Sequence, residues 1–276
     1  MSRRDKVFDE KTMSQKTRFF QAALLIASWM ALGWCFHLGP YAYLVLGIPL
    51  CILFQLYVCR RPLSSCWVRD TARFRLDLFG VAIALAFLVI PVLFLVGEWR
   101  GANWATRVYL VASLAGATGV AFALRQLTAR AVRSLLFCLA TAGVIGCAMM
   151  LAGAFARHHQ LLFTPARARF AIGQFLELLP VCFVMEEVAF RGVLDSHIQH
   201  PEDPRPWVSA ILLSAMWGWW HLPITPPSLL GPGIIAFPII HAMVGVPFSL
   251  FWRRSGNLLV PAVVHALIDA LRNAVI

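Results

Sequence analysis

The chain has 276 residues, 60% of them hydrophobic and only 13% charged, where an average soluble domain carries about 25% charge. A soluble globule cannot hide that much apolar surface, and the mean hydropathy of +0.73 points to a polytopic membrane protein. The formal net charge of +11 fits loops that face anionic lipid; no basic patch with interleaved aromatics is present, which argues against a nucleic-acid partner.

In chain order, residues 1–18 form a polar, basic tail with no cleavable signal, expected to be cytoplasmic, and lead into an apolar run read as an uncleaved first span. A helix needs about 20 apolar residues to cross the bilayer. Such runs occur at roughly 19–37, 41–59, 76–97, 104–124, 134–156, 170–190, 207–222, 233–252 and 257–275. The first two part only at a His-Leu-Gly-Pro turn and the seventh is short, so the expected fold is all-α, a membrane helix bundle of eight to nine spans in one integral-membrane domain. In a bacterium this is a protein of the cytoplasmic membrane, with the lipid bilayer as its first partner.

The loops RRPLSSCWVRDTARFR and RQLTARAVR are the most basic after the tail, and alternation from a cytoplasmic N-terminus puts both inside. RHHQLLFTPARAR then falls outside against that bias; it reads as an amphipathic surface segment or as the sign of a miscounted span. Trp67, Trp99, Trp104, Trp207 and Trp252 lie near segment ends, where an interfacial belt places tryptophan. The seven cysteines sit mostly in apolar runs without a CxxC pair and read as small reduced hydrophobes.

Residues 19–169 read as spans joined by basic loops. Residues 170–276 differ, because their spans hold Gln174, Glu177, Glu186, Glu187, Arg191, His221, His241, His265 and Asp269. A charged side chain at the centre of a spanning helix costs about 2.5–3.5 kcal/mol on insertion scales, so such residues are functional candidates by default.

Three constellations stand out. In VMEEVAFRG, Glu187 and Arg191 are four apart on one helix face and can pair. Glu186 points about 100° away and lacks that partner, which leaves a carboxylate of the kind a general base needs; the alternative is a wetted helix end. In WGWWHLP, Trp217 and His221 share a face, where a histidine can hold a water or a metal, or reach for the interface. In VVHALIDA, His265 and Asp269 are again four apart; Asp can accept the imidazole N–H and fix its tautomer, or the pair can join two helices. Glu177 faces elsewhere and reads as a helix-end or lumen-facing group.

With EEVAFR at 186–191, WGWWH at 217–221 and HALID at 265–269, the chain resembles the CAAX-protease and bacteriocin-processing family of intramembrane glutamic proteases, which includes the Ras-converting CAAX endopeptidases. That family shows EExxxR, FxxxH and HxxxN or HxxxD. The approach to the last motif, GVPFSLFWRRSGNLLVPAVVH, is also similar. The likeness covers roughly residues 170–276. Trp217 replaces the usual Phe, and Asp269 stands where eukaryotic members carry Asn. An amide can donate to an oxyanion and an ionised carboxylate cannot, so Asp269 is expected to be protonated, to orient His265 or to face a cation.

The resemblance implies hydrolysis of a peptide bond in a membrane-associated protein or peptide, near its C-terminus. Glu186 would be the general base that activates water, His221 would position that water, and His265 would donate to the oxyanion with Asp269 beside it. Glu187, Arg191 and Trp217 would support them. No cofactor is implied. Zinc is the alternative, since Glu186, His221, His265 and Asp269 form an N and O donor set, although the HExxH spacing is absent. Ser214 and Cys182 have no base at a recognisable spacing. Outside proteolysis, the same groups fit a proton relay or transport site, though without an internal repeat, or a non-catalytic bacteriocin-immunity or scaffold protein. For Glu186 and His221 to meet at one depth, the sixth helix must run past Gly192 toward His197. Glu186, His221 and His265 would then converge on one water-filled cavity.

Overall fold

A computed structural model of the chain describes residues 13–71, 73–98, 101, 104–158 and 164–275. Residues 1–12 of the basic tail, Trp99 and residues 159–163 of the loop before the sixth span lie outside the described residues. Among the described residues the fold is all-α with nine helices: α1 (Gln15–Cys35), α2 (Pro40–Val58), α3 (Leu78–Glu98), α4 (Trp104–Arg125), α5 (Ala129–His158), α6 (Pro165–Ile198), α7 (Pro206–Trp220), α8 (Pro227–Ser255) and α9 (Leu259–Val275). Each corresponds to one apolar run of the sequence. Side-chain oxygens start four of them: Ser14 accepts from the Thr17 N–H, Asp77 from Gly80, Thr128 from Ala131 and Thr164 from Arg167, the usual satisfaction of donors that a helix start leaves free.

Five helices are long and apolar enough to cross a membrane: α1, α2, α5, α6 and α8. Of the eight to nine spans expected, these five meet both length and composition among the described residues. α7 and α9 have 15 and 17 residues, about 22 and 25 Å at 1.5 Å per residue, against a hydrocarbon core of about 30 Å. α3 and α4 run 21 and 22 residues, as long as a span needs, and among the described residues they hold the apolar stretches Leu78–Val89 and Leu110–Arg125.

The C-terminal helices pack as a group: α8 lies along α7, and α9 lies against α6 and α5. α4 backs onto α6 so closely that a Cβ on Gly116 would lie 2.0 Å from the Pro180 carbonyl oxygen. α6 changes character just past this contact. It is α-helical to Cys182 and π-helical over Phe183–Asp195. Pro180 withholds one backbone donor from the ladder, and the wider i→i+5 turn, often found at functional sites, begins three residues later.

α1 and α2 anchor the far end of α7. Trp29, Tyr43 and Trp220 are all fully buried. The Trp29 and Trp220 rings meet edge-on at 4.9 Å; the Trp29 indole donates to the Tyr43 carbonyl at 2.9 Å, and the Tyr43 hydroxyl to the Trp220 carbonyl at 2.8 Å. Between membrane helices such contacts hold by close packing and hydrogen bonding rather than by exclusion of water, and the two hydrogen bonds fix the residue that precedes His221.

At the opposite end, Arg253 of α8 donates to the fully buried Asp195 of α6 (Nε–Oδ2 2.9 Å), and Arg18 of α1 pairs with Asp203. Trp252 does not join an interfacial belt. It is fully buried and its indole donates to Ser196 Oγ at 3.2 Å, because the last turn of α8 is folded inward over α6. Trp104 and Trp207 are exposed, as a belt requires. The turn from α8 to α9 passes through Gly256 at φ +66°, a left-handed cap that suits glycine. Five of the seven cysteines are buried.

Candidate active site

The sequence motifs meet on one cavity of about 280 Å³ enclosed by α2, α5, α6, α7, α8 and α9. Glu186, Trp217, His221, His241, His265 and Asp269 form its polar side, and Leu44, Met149, Met150 and Ile240 are among its apolar lining. Glu186 Oε2 lies 3.9 Å from His221 Nε2 and 4.0 Å from His265 Nε2. α6 does run past Gly192, ending at Ile198, which brings Glu186 to the depth of both histidines.

The π turn explains how two adjacent glutamates both face inward. An α-helix separates neighbours by 100°; the wider turn separates them by less. Glu186 reaches the cavity, while Glu187 reaches the back of the same imidazole, with Oε1 2.7 Å from His265 Nδ1. Glu187 also meets Arg191 at 3.3 Å, and both are buried. The ion pair expected from the spacing is present, but Glu187 does more than close it.

Asp269, expected from the spacing to fix the His265 tautomer, does not hold Nδ1. Its Oδ2 is 3.6 Å from Nε2, too long for a good hydrogen bond, and its Oδ1 pairs with Arg272 Nη1 at 3.0 Å. Nδ1 is already taken from α6, so Asp269 is left beside the working nitrogen with a cation of its own.

His221 is oriented by the chain it ends: Nδ1 donates to the Trp217 carbonyl at 2.9 Å, which turns Nε2 toward Glu186. The Trp217 indole N–H donates to Glu186 Oε2 at 3.0 Å. Glu177 takes no part; it accepts from Gln174 at 2.8 Å.

Two neighbours were not assigned from the sequence. His241 lines the cavity with its ring 4.5 Å from that of His221, and its Nδ1 donates to the Phe237 carbonyl at 2.8 Å. Phe237 to His241 repeats the aromatic-x-x-x-histidine spacing of Trp217 to His221, which is the signal that marks it. Cys182 Sγ lies 3.9 Å from Asp269 Oδ2. Among the described residues, the group of metal-type donors that lie within 4.8 Å of one another is Cys182, His265 and Asp269, not the set of Glu186, His221, His265 and Asp269 proposed for zinc.

Residues 168–271 match the family model described as type II CAAX prenyl endopeptidase, Rce1-like. Neither the curated proteins nor the solved structures compared with the chain gave a match. The matched segment runs from the first turn of α6 into α9 and contains Glu186, Glu187, Arg191, Trp217, His221, His241, His265 and Asp269. The chain is therefore a protease built on membrane-type helices. It carries a domain of the Rce1-like CAAX prenyl endopeptidase family.

Proposed function

We propose that the chain is an intramembrane endopeptidase that cleaves a membrane-associated protein or peptide near its C-terminus, using a water activated by Glu186. The observation that carries this reading is the placement of Glu186 Oε2 about equally far from the Nε2 atoms of His221 and His265, on one cavity. At 3.9 and 4.0 Å these atoms are too far apart for direct hydrogen bonds and close enough for one water to bridge.

The hydrogen bonds divide the roles. His221 donates through Nδ1, so its Nε2 carries a lone pair that orients the water. Glu186 takes the water proton as the oxygen attacks the scissile carbonyl. His265 donates from Nδ1 to Glu187; to donate also from Nε2 to the oxyanion, the ring must hold both protons, and Glu186, Glu187 and Asp269 supply the counter-charge. Glu186 then returns its proton to the leaving amine as the C–N bond breaks. Arg272 offsets the charge of Asp269, so that a carboxylate is tolerated where eukaryotic members carry an amide. Leu44, Met149, Met150 and Ile240 make the rest of the wall apolar, suited to a lipid-linked or hydrophobic C-terminal segment. The basic N-terminus faces the cytoplasm, the helices before residue 170 hold the bundle in the bilayer, and residues 170–276 form the catalytic core.

Comparing the membrane proteome of wild type with that of Glu186→Ala tests the reading. A membrane protein or peptide that accumulates uncut in the variant is the expected result. Identical proteomes from a variant that folds and inserts normally would overturn it.

A further inference from the structure

Trp217 stands where the family pattern has phenylalanine, and the exchange adds one polar group, the indole N–H. That group is aimed at the carboxylate assigned as base: Nε1 to Glu186 Oε2 is 3.0 Å, across the interface of α6 and α7. The ring is 3% exposed, and a buried indole N–H needs an acceptor.

The ring is fixed on several sides. The Arg191 guanidinium lies over its face, 4.2 Å from the centroid. Phe190 and Phe248 flank it at 6.0 and 6.2 Å, and His265 meets it edge-on at 5.2 Å. Arg191 has one ion pair, to Glu187, and its Nε has no hydrogen-bond partner among the described residues, so the aromatic faces carry part of its coordination. The motif arginine therefore reaches the base through this ring. Arg191 holds the indole, and the indole holds Glu186.

We propose that Trp217 is a positioning residue whose indole N–H occupies one lone pair of Glu186 Oε2 and fixes the carboxylate for the water shared with His221. Phenylalanine would fill only part of that space, supply no donor and leave the carboxylate free to rotate. Misplacing a reacting group by about 1 Å can cost 10²-fold in rate, so the bond acts on kcat while substrate binding is left alone. The proposal rests on Glu186 as base, and its test separates the two.

Two variants of the full chain test it, assayed with a quenched fluorescent peptide ending in a farnesylated CAAX sequence. One is Trp217→Phe. The other replaces Trp217 with benzothienylalanine, in which sulfur stands for the N–H and the shape is kept, so the test survives if phenylalanine misfolds. Both are expected to lose at least tenfold in kcat with KM within twofold. In protein labelled with ¹⁵N at the indoles, the resonance missing from Trp217→Phe is expected to move in Glu186→Ala. A benzothienylalanine variant with wild-type kcat, or an indole resonance unmoved by Glu186→Ala, overturns the proposal. Proteolysis persisting in Glu186→Ala would instead remove the base assignment, while the resonance would still report the bond.

Discussion

Glu187 grips His265 from behind, with Oε1 and Nδ1 2.7 Å apart in a place where neither residue is exposed. Adjacent glutamates thus address the two nitrogens of one imidazole, Glu187 at Nδ1 and Glu186 at Nε2. Glu187→Gln keeps an oxygen that can accept from Nδ1–H but removes the charge that supports a doubly protonated ring. We expect kcat to fall about 10-fold to 100-fold, the scale for residues that orient a working histidine, with KM little changed. Full kcat in this variant would show that the bond has no catalytic role. Glu187→Ala also leaves Arg191 buried and unpaired, at a cost of about 3–5 kcal/mol, and should appear as a lowered unfolding temperature in detergent.

Asp269 and Arg272 form a second dependence. Arg272→Ala leaves a bare carboxylate 3.6 Å from His265 Nε2, where it repels the charge that develops on the substrate carbonyl. We expect kcat to fall roughly tenfold, or about 1.4 kcal/mol of barrier. Asp269→Asn in the same chain should restore most of the loss. If the double variant is as slow as the single one, Arg272 acts on something other than Asp269.

Proteolysis is expected to continue in excess chelator, because the proposed chemistry runs on Glu186 and two imidazoles. Chelator-sensitive cleavage restored by zinc would favour the metal alternative, and the group Cys182, His265 and Asp269 would be the place to look for the ion.

The contact of α1 and α2 with α7 makes a prediction remote from the chemistry. Gly47 packs against Trp29 so tightly that a Cβ would lie 2.0 Å from the ring. Gly47→Ala should cost about 1–3 kcal/mol as overpacking, and Tyr43→Phe about 1 kcal/mol for the lost bond to Trp220. Both should lower activity and thermal stability together, measured by unfolding in detergent beside the cleavage rate. A variant that loses only stability would mean that His221 holds its place without this support.

Much of this arrangement was legible in the sequence. The apolar runs marked all nine helices, and the polar residues within the later runs marked the cavity. Spacing of four showed the Glu187–Arg191 pair, and the need for a common depth required α6 to pass Gly192. What spacing could not show follows from the π turn. Angles drawn at 100° per residue sent Glu186 and Glu187 in different directions and left Asp269 to orient His265. The change of helical pitch begins three residues after Pro180, beside the contact of α4 on α6, and spacing rules drawn for an α-helix do not carry past it. Trp252 was misplaced for a related reason: a segment end looks interfacial until the turn after it folds back over the bundle.

The family match begins at residue 168, yet the aromatic anchor of His221 is built from Trp29 and Tyr43. A fragment trimmed to the recognisable motifs would retain every chemical group of the proposed reaction and lose the buttress that aims one of them. Homologues could therefore diverge freely along their first two helices only where compensating changes preserved that brace, and chimaeras that exchange N-terminal halves should be judged by its fit as much as by their catalytic motifs.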